Sequence, residues 1–415
     1  MTPRLAAVNT LRRVLRDKAY SSIELANVSS FAALSPADRA LYAAIVRTVL
    51  ERLLTLEYII NTYTRKKPDP EIFCALCAGM AQILYMEKIP PSAACDETVK
   101  AVKEFADQSR AGFVNAVLRR VCREKDEVVK LVASAPEHIR YSLSPQICAM
   151  LREQYPGLAS AALESVFSRP PICLRVNTLR TDGETLARKL TQSGVECVSQ
   201  GSMIRVISGA DRLIEGIGNE YFIQGARSQF AVELLGAKSG MTVIDVCACP
   251  GGKTLGAAID MRNDGAIYAF DIHKNKLSLI TRSALSLGVD IISVTERDSR
   301  TADPSLEAKA DRVICDVPCS SLGVLSSKPE LRYKDISSLA QLYETQSLIL
   351  NASAAYLRPG GRMVYSTCTF NKNENSVQVG RFLGENSGYK LISERQFLAE
   401  DGYFDGFYAA LIEKE

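Results

Sequence analysis

Two cysteines stand where a thiol could do chemistry. Cys319 follows a proline in DVPCSSLG, and Cys368 sits in YSTCTF. Each falls just past an apolar run read as a strand, 311–317 for the first and 362–367 for the second. A thiolate is a strong nucleophile that can form a covalent intermediate. A lone cysteine in an apolar setting is usually a buried hydrophobe, but two at neighbouring strand ends, one beside proline and one inside Ser-Thr-Cys-Thr, form a different pattern. Histidine offers little alternative. The chain holds only His138 and His273, which leaves neither a Ser-His type of catalysis nor a zinc site much to draw on. No metal is expected.

A glycine loop lies upstream in TVIDVCACPGGKT, Thr242 to Thr254. A short apolar run ends in Cys247, Ala248, Cys249, Pro250, Gly251, Gly252 and Lys253, and a small-residue helix follows. This is the first strand, loop and helix of an open α/β sheet, where nucleotide-like ligands bind beyond the strand's carboxyl end. Glycines permit close backbone approach, and the helix start offers unpaired N–H donors. The ending GGKT imitates a phosphate-binding loop. That motif needs a glycine where Cys247 stands, and a GxGxxG is also absent. Asp271, Asp298 and Asp316 stand at or just past the ends of the second, third and fourth strands. An acidic residue at the place of Asp271 commonly accepts hydrogen bonds from ribose hydroxyls. Any one such aspartate could equally cap a turn or a helix; three in register with a glycine loop point to a ligand.

The positioning elements alternate strand and helix from about residue 223 onward. Candidate strands are 242–248, 266–272, 291–296, 311–317 and 362–367, with a last one in FYAALIEK, 407–414. Such a succession makes a parallel sheet covered on both faces. Residues 1 to about 128 read as helix throughout. Leu5, Val8, Leu11 and Leu15 share a face, and Ser35, Pro36 and Asp38 form a helix start. Leu41, Ile45, Val49 and Leu53 continue on one helix, and Pro68, Pro70 and Pro90–Pro91 mark breaks. SRAGFVNAVLRRVCR puts Arg119, Arg120 and Arg123 on a basic side, which by itself reads as a solvated face. Residues 129–222 mix both signals, with a helix at Ser144–Pro145, then a strand, a turn at Asp182–Gly183 and a helix. Arg175 and Arg180 in that strand region are either phosphate contacts or solvent-exposed edge residues.

The 415 residues suffice for two or three domains, and 47% hydrophobic with 23% charged residues is ordinary globular composition. A net charge of +3 permits a local basic face without arguing for nucleic acid. No apolar run approaches the roughly 18 residues of a membrane span. The N-terminal stretch reads as an amphipathic helix without signal-peptide features. The 12 scattered cysteines are therefore expected as reduced thiols in the cytoplasm. The CxxC of Cys74 and Cys77 is expected on the buried face of a helix, in preference to a metal or redox pair. A monomer is expected.

CACPGGKT resembles the CAAPGGKT loop of RNA cytosine-5 methyltransferases, and Pro318–Cys319 and Thr367–Cys368 resemble their PC and TC motifs. ENS at Glu374 to Ser376 and PPICLRVNTLR at Pro170 to Arg180 extend the likeness. DRALYAAIVRTVLER (Asp38 to Arg52), IPPSAACDETVKAVK (Ile89 to Lys103) and GFVNAVLRRV (Gly112 to Val121) resemble the NusB-like helical domain, an RNA-binding module. Together they are similar to the Sun/Fmu family. The resemblance implies a multidomain chain: an all-α NusB-like domain over 1–128, an α+β RNA-contacting subdomain over 129–222, and a Rossmann-like class I methyltransferase domain over 223–415. The last would carry a mostly parallel seven-stranded sheet whose final strand is antiparallel. It implies S-adenosyl-L-methionine in the glycine loop, with Asp271 on its ribose, Asp298 at its adenine end, and Asp316 near its charged end or the base. It implies 16S rRNA as the partner, with Arg119, Arg120, Arg123, Arg175 and Arg180 as candidate RNA contacts.

Carbon 5 of cytosine is a weak nucleophile. A thiolate adding to carbon 6 makes it an enamine carbon, and a base must later remove the carbon 5 proton so that the thiolate can leave. By resemblance Cys368 attacks, Cys319 assists release and Asp316 steadies the N3 edge. DNA cytosine-5 methyltransferases use the Pro-Cys thiol instead, which would reverse the two cysteines. The same motifs would serve transfer RNA or large-subunit rRNA, and a non-catalytic RNA-binding assembly factor could keep the fold. Four positions depart from the family pattern: Cys249 replaces an alanine, Ser326–Ser327 stand where basic residues are usual, and Gly225 replaces an acidic residue.

Overall fold

The computed structural model describes residues 2–17, 34–213, 219–400 and 402–415. The chain folds as two compact units, Met1–Phe167 with Leu325–Ile336, and Ser168–Val324 with Ser337–Glu415.

The first unit is helical. Its elements are α1 (Pro3–Asp17), α2 (Pro36–Glu51), α3 (Leu53–Tyr63), α4 (Pro70–Tyr85), α5 (Pro91–Lys103), α6 (Gln108–Arg123), α7 (Lys125–Ala133), α8 (Glu137–Arg140), α9 (Pro145–Gln154) and α10 (Ala159–Ser165). The starts follow the sequence signals. Ser35 accepts a bond from the Asp38 amide at 3.1 Å, Ser144 caps α9, and prolines open α2, α4, α5 and α9. A side-chain oxygen at the cap satisfies an N–H that the helix leaves orphaned. One expectation is corrected: Leu53 does not continue α2, because the helix stops at Arg52 and a new one begins. Val8, Leu11, Ile45, Val49, Cys74 and Cys77 all belong to one buried core. Arg332 of the 325–336 segment is fully buried and donates to the carbonyls of Leu325, Glu51 and Val166.

The second unit contains two sheets. The smaller has β1 (Cys173–Val176), β2 (Glu196–Gln200), β3 (Met203–Ser208) and β4 (Tyr221–Ile223) in the order β2-β3-β1-β4, all antiparallel. α11 (Gly183–Gln192), capped by Asp182, packs Leu186 and Leu190 against Leu174 and Ile204. After α12 (Ala226–Leu235) the chain enters the larger sheet through β5 (Thr242–Asp245), α13 (Gly252–Asp260), β6 (Ala266–Asp271), α14 (Lys274–Leu287), β7 (Ile292–Glu296) and β8 (Ala310–Asp316). It continues through α15 (Ala340–Ala355), β9 (Leu357–Thr367), α16 (Ser376–Glu385), β10 (Tyr389–Phe397) and β11 (Phe407–Lys414).

The seven strands lie in the order β10-β11-β9-β8-β5-β6-β7. Pairs β5–β6, β6–β7, β5–β8 and β8–β9 are parallel, and β11 is antiparallel to both neighbours. Alternate residues serve opposite faces: Val243, Ile314 and Val364 pack in one core, Ile244, Val313 and Met363 in the other. The chain turns outward in both directions from β5, so a crevice opens beyond the carboxyl ends of β5 and β8. Of these seven only β10 has no counterpart among the strands read from sequence; in the smaller sheet β2, β3 and β4 have none either. β10 is an edge strand, exposed along most of its length, so no apolar alternation marks it.

Candidate active site

The glycine loop begins at Asp245, the last residue of β5, which is 1% exposed. Thr254 Oγ1, in the first turn of α13, donates to Asp245 Oδ2 at 2.6 Å, while Asp245 Oδ1 has no partner. Burial pushes this carboxyl up to about 7. Gly251 holds φ at +110°, a region that side chains avoid, and a Cβ there would come within 3.2 Å of Ile280 Cγ1. The Cys249–Pro250 peptide is cis.

Carboxylates from the next strands face the same crevice. Asp271, ending β6, accepts the Cys249 amide at 3.0 Å and the His273 amide at 2.9 Å, so it pins the glycine loop to the start of α14. Asp298 accepts the Arg300 guanidinium Nε at 3.0 Å on each oxygen, and these bonds hold its carboxyl below the usual range. Ser299 Oγ reaches back to the Val246 carbonyl at 2.5 Å and ties the β7 loop to the β5 end. The resulting cleft has a volume of about 670 Å³. Asp271, Asp298, Cys247 and Cys249 line one part of it, and Asp316, Cys319 and Cys368 line the other. Burial drives the Cys247 thiol well up and the Cys249 thiol up to about 12.

Asp316 ends β8 opposite Ser366 of β9. Its Oδ2 lies 2.6 Å from Lys253 Nζ, and its Oδ1 accepts the Ser366 hydroxyl at 2.6 Å. Lys253 and Asp316 also line a second chamber of about 190 Å³ with Gln224, Asp245 and Cys249. Gly225, where the family pattern has an acid, starts α12 without a side-chain cap.

The two motif cysteines meet. Cys319 Sγ and Cys368 Sγ are 3.3 Å apart, and Ser321 Oγ is 3.6 Å from Cys368 Sγ. The bond from Cys319 brings the Cys368 thiol down to about 7; burial and Asp316 oppose this, and Ser321 and Lys253 assist it. The same bond, together with burial and the charges of Cys368 and Glu374, pushes Cys319 well up. Of the two thiols Cys368 is therefore the one that ionises first, with Cys319 placed to donate to it.

The candidate RNA residues divide. Arg119 pairs with Asp96, Arg120 pairs with Glu124 at 2.9 Å and lies over the Tyr63 ring, and Arg123 is exposed; all three are on α6. Arg180 is exposed. Arg175 is corrected: it is 1% exposed, pairs with Asp260 and has Glu233 at 3.9 Å, so its guanidinium serves the interior and no phosphate can reach it. Ser321, Ser366 and Asp245 also belong to the site, though nothing in the sequence singles them out. Glu374 stands in the sequence only as part of a motif, yet it is fully buried beneath the cysteine loops.

Among the described residues no helix is long and apolar enough to cross a membrane, and no group of three or more His, Cys, Asp or Glu is placed to hold a metal.

Comparison with known proteins gives the family. Residues 232–406 match the family described as 16S rRNA methyltransferase RsmB/F, residues 1–123 match the NusB family, and residues 147–207 match the RsmF/B-like ferredoxin-like domain. The chain is 31% identical over 407 residues to the probable ribosomal RNA small subunit methyltransferase B of Bacillus subtilis (strain 168), covering 92% of this chain and 88% of that one. It is 30% identical to the ribosomal RNA small subunit methyltransferase B of Pectobacterium atrosepticum, covering 92% of each. The crystal structure of PH0851 superposes with a TM-score of 0.80 at 22% identity, over 100% of this chain and 99% of that one, a likeness of fold. The cleft fits S-adenosyl-L-methionine. Asp271 and Asp298 offer carboxylate acceptors along it beside Cys247 and Cys249 of the glycine loop, and Cys319 and Cys368 line it as well. The glycine loop, the carboxylates beyond β6 and β8 and the paired thiols thus sit on a Rossmann-like domain preceded by a NusB domain, and the chain belongs to the RsmB/F family of S-adenosylmethionine-dependent RNA methyltransferases.

Proposed function

We propose that the protein methylates carbon 5 of one cytosine in 16S rRNA through a covalent bond between Cys368 and carbon 6 of the base. The observation that carries this reading is the 3.3 Å approach of Cys319 to Cys368, which favours ionisation of Cys368. The cofactor supplies an electrophilic methyl group when bound; Cys247 to Lys253, Asp271 and Asp298 are the residues that hold it. Cys368 forms the bond to carbon 6, and the ring's electrons move toward carbon 5 and N3. A proton taken up from solvent at N3 cancels the negative charge that develops there, and the Asp316 carboxylate, oriented by Lys253 and Ser366, accepts a hydrogen bond from that N3–H. Once Cys368 is a thioether its charge is gone, and the Cys319 proton is no longer held by it. On the ring methylated at carbon 5, Cys319 releases its proton to solvent and as a thiolate takes the carbon 5 proton; the C–H electrons re-form the carbon 5–carbon 6 double bond, and Cys368 leaves as the thiolate. The base must be splayed or flipped to reach the thiols.

Residues 1–128 act in this reading as the RNA-binding module and 129–222 as a further RNA-contacting segment, with Arg119, Arg120, Arg123 and Arg180 toward the phosphates. The enzyme acts as a monomer in the cytoplasm. The names of the relatives favour small-subunit rRNA over other RNAs. The test is methyl transfer from labelled S-adenosylmethionine to purified 16S rRNA, 23S rRNA and tRNA, followed by bisulfite mapping. Label at a single 16S cytosine is expected. Label confined to tRNA or 23S rRNA would move the substrate, and cofactor binding without transfer to any RNA would favour an assembly factor.

A further inference from the structure

Beneath the thiol pair lies a carboxylate with no part in the chemistry above. Glu374 is 0% exposed. Its Oε2 accepts the Ser320 amide at 2.7 Å and Gln346 Nε2 at 3.0 Å, and its Oε1 accepts the Ser320 hydroxyl and Asn371 Nδ2, the latter at 3.0 Å. Gln346 Nε2 also donates to the Pro318 carbonyl at 2.9 Å. Ser320 is thus fastened directly, and Pro318 through Gln346, to the Glu374 side chain. That side chain belongs to the segment that follows Cys368. Two direct stitches run beside it: Ser320 Oγ meets Thr369 Oγ1 at 2.9 Å, and the Gly323 amide donates to the Cys368 carbonyl at 2.9 Å. Four donors converge on Glu374, and a carboxylate has the acceptor sites to satisfy them all, whereas an amide has one acceptor oxygen and would aim donors at donors. A buried anion satisfied by four donors holds its geometry tightly, because breaking any bond leaves a polar group unpaired in a dry setting.

We propose that Glu374 is the positioning residue of the thiol pair: its carboxylate bolts the loop bearing Cys319 to the loop bearing Cys368 and so keeps Cys319 donating to Cys368. It touches neither substrate nor cofactor. The proposal rests on the reading of Cys368 as the attacking thiolate. Its sign is distinctive. The groups facing Cys368 are Cys319, Asp316, Ser321 and Lys253. Deleting the negative charge of Glu374 acts on nearby thiols by making them easier to ionise. Loosening the Cys319 loop acts in the opposite direction, because Cys368 loses its chief donor.

The experiment is the pH dependence of Cys368 alkylation by iodoacetamide in the full chain without RNA or cofactor, read by peptide mass spectrometry for wild type, Glu374→Gln and Ser320→Ala. The wild-type midpoint is expected at about 7, and that of Glu374→Gln well above it, toward the ordinary 9.0. Ser320→Ala should fall between, since it removes one donor and leaves the carboxylate. Calorimetry with S-adenosylmethionine should give a Kd within about threefold of wild type for a folded variant. A Glu374→Gln midpoint at or below the wild-type value overturns the proposal. If Glu374→Gln binds no cofactor because it does not fold, Ser320→Ala decides, and an unmoved midpoint there overturns it equally. Alkylation needs no methyl transfer, so a failure of the RNA assay would sink the functional reading and leave this measurement interpretable.

Discussion

Lys253 and Asp316 form one charge pair, Nζ to Oδ2 at 2.6 Å, that joins the first turn of the glycine-loop helix to the end of the fourth strand. Burial pulls the Lys253 ammonium down, but the Asp316 carboxylate more than restores it, and Lys253 stays cationic. The Ser366 hydroxyl takes the other oxygen, so the carboxylate is oriented from both sides. A residue of the cofactor loop and a residue beside the cysteine pair are therefore set by one interaction.

Because the pair acts as a unit, its two halves should not be additive. Asp316→Asn and Lys253→Ala are each expected to lower kcat by about 10²-fold or more, the scale of a lost proton or charge contact in a transition state. The double variant should cost far less than the product of the two. Steady-state kinetics on rRNA check this; strictly multiplicative losses would mean that the residues act separately.

The Cys368 thiol, lowered to about 7, fixes the direction of the pH dependence. The reactive form is the thiolate, so its fraction grows as pH rises and levels off above the midpoint. Single-turnover rates should climb about tenfold per unit below that midpoint and flatten above it. Ser321→Ala removes one of the bonds favouring the thiolate and should move the midpoint upward by several tenths of a unit. A profile still rising steeply at pH 9 would contradict the lowered thiol.

Asp245 makes a stability prediction of opposite sense to an ordinary paired carboxylate. Its folded value is raised from 3.8 to about 7, so the folded state holds a proton that the unfolded state has released. Its favourable contribution is complete below about pH 4 and is lost as pH rises to about 7. Relative to Asp245→Asn, wild type should lose roughly 2–3 kcal/mol of stability between pH 5 and pH 8. Denaturant unfolding at the two pH values reads the difference directly; parallel curves for both proteins would refute the buried acid.

Two arginines separate structure from RNA contact. Arg175→Leu strands Asp260, whose carboxyl burial already pushes up, and should cost about 2–4 kcal/mol of stability while leaving the salt dependence of RNA binding unchanged. Arg123→Ala, at an exposed position on α6, should leave stability intact and lower the slope of log affinity against log salt by about one. Fluorescence binding titrations across a salt series check both.

The sheet and the site were legible from sequence to different depths. Strands such as Val243–Ile244 and Val313–Ile314 are buried on both faces, and their apolar runs announce them. β10 is a polar edge strand and announces nothing. Cys319, Cys368 and Asp316 were legible because each follows a strand end, and topology brings such ends together. The burial of Arg175 was not, since it depends on Asp260, 85 residues away. The network at Glu374 was hidden for the same reason: Ser320 and Gln346 join it only once two loops and a helix have packed.

In the proposed reaction Cys368 bonds to the base and Cys319 releases it. Its most direct test is trapping. Cys319→Ala, incubated with S-adenosylmethionine and 16S rRNA, should accumulate a denaturation-resistant protein–RNA adduct, and Cys368→Ala should form none and transfer no methyl group. An adduct in Cys368→Ala, or continued methylation by it, would contradict the account.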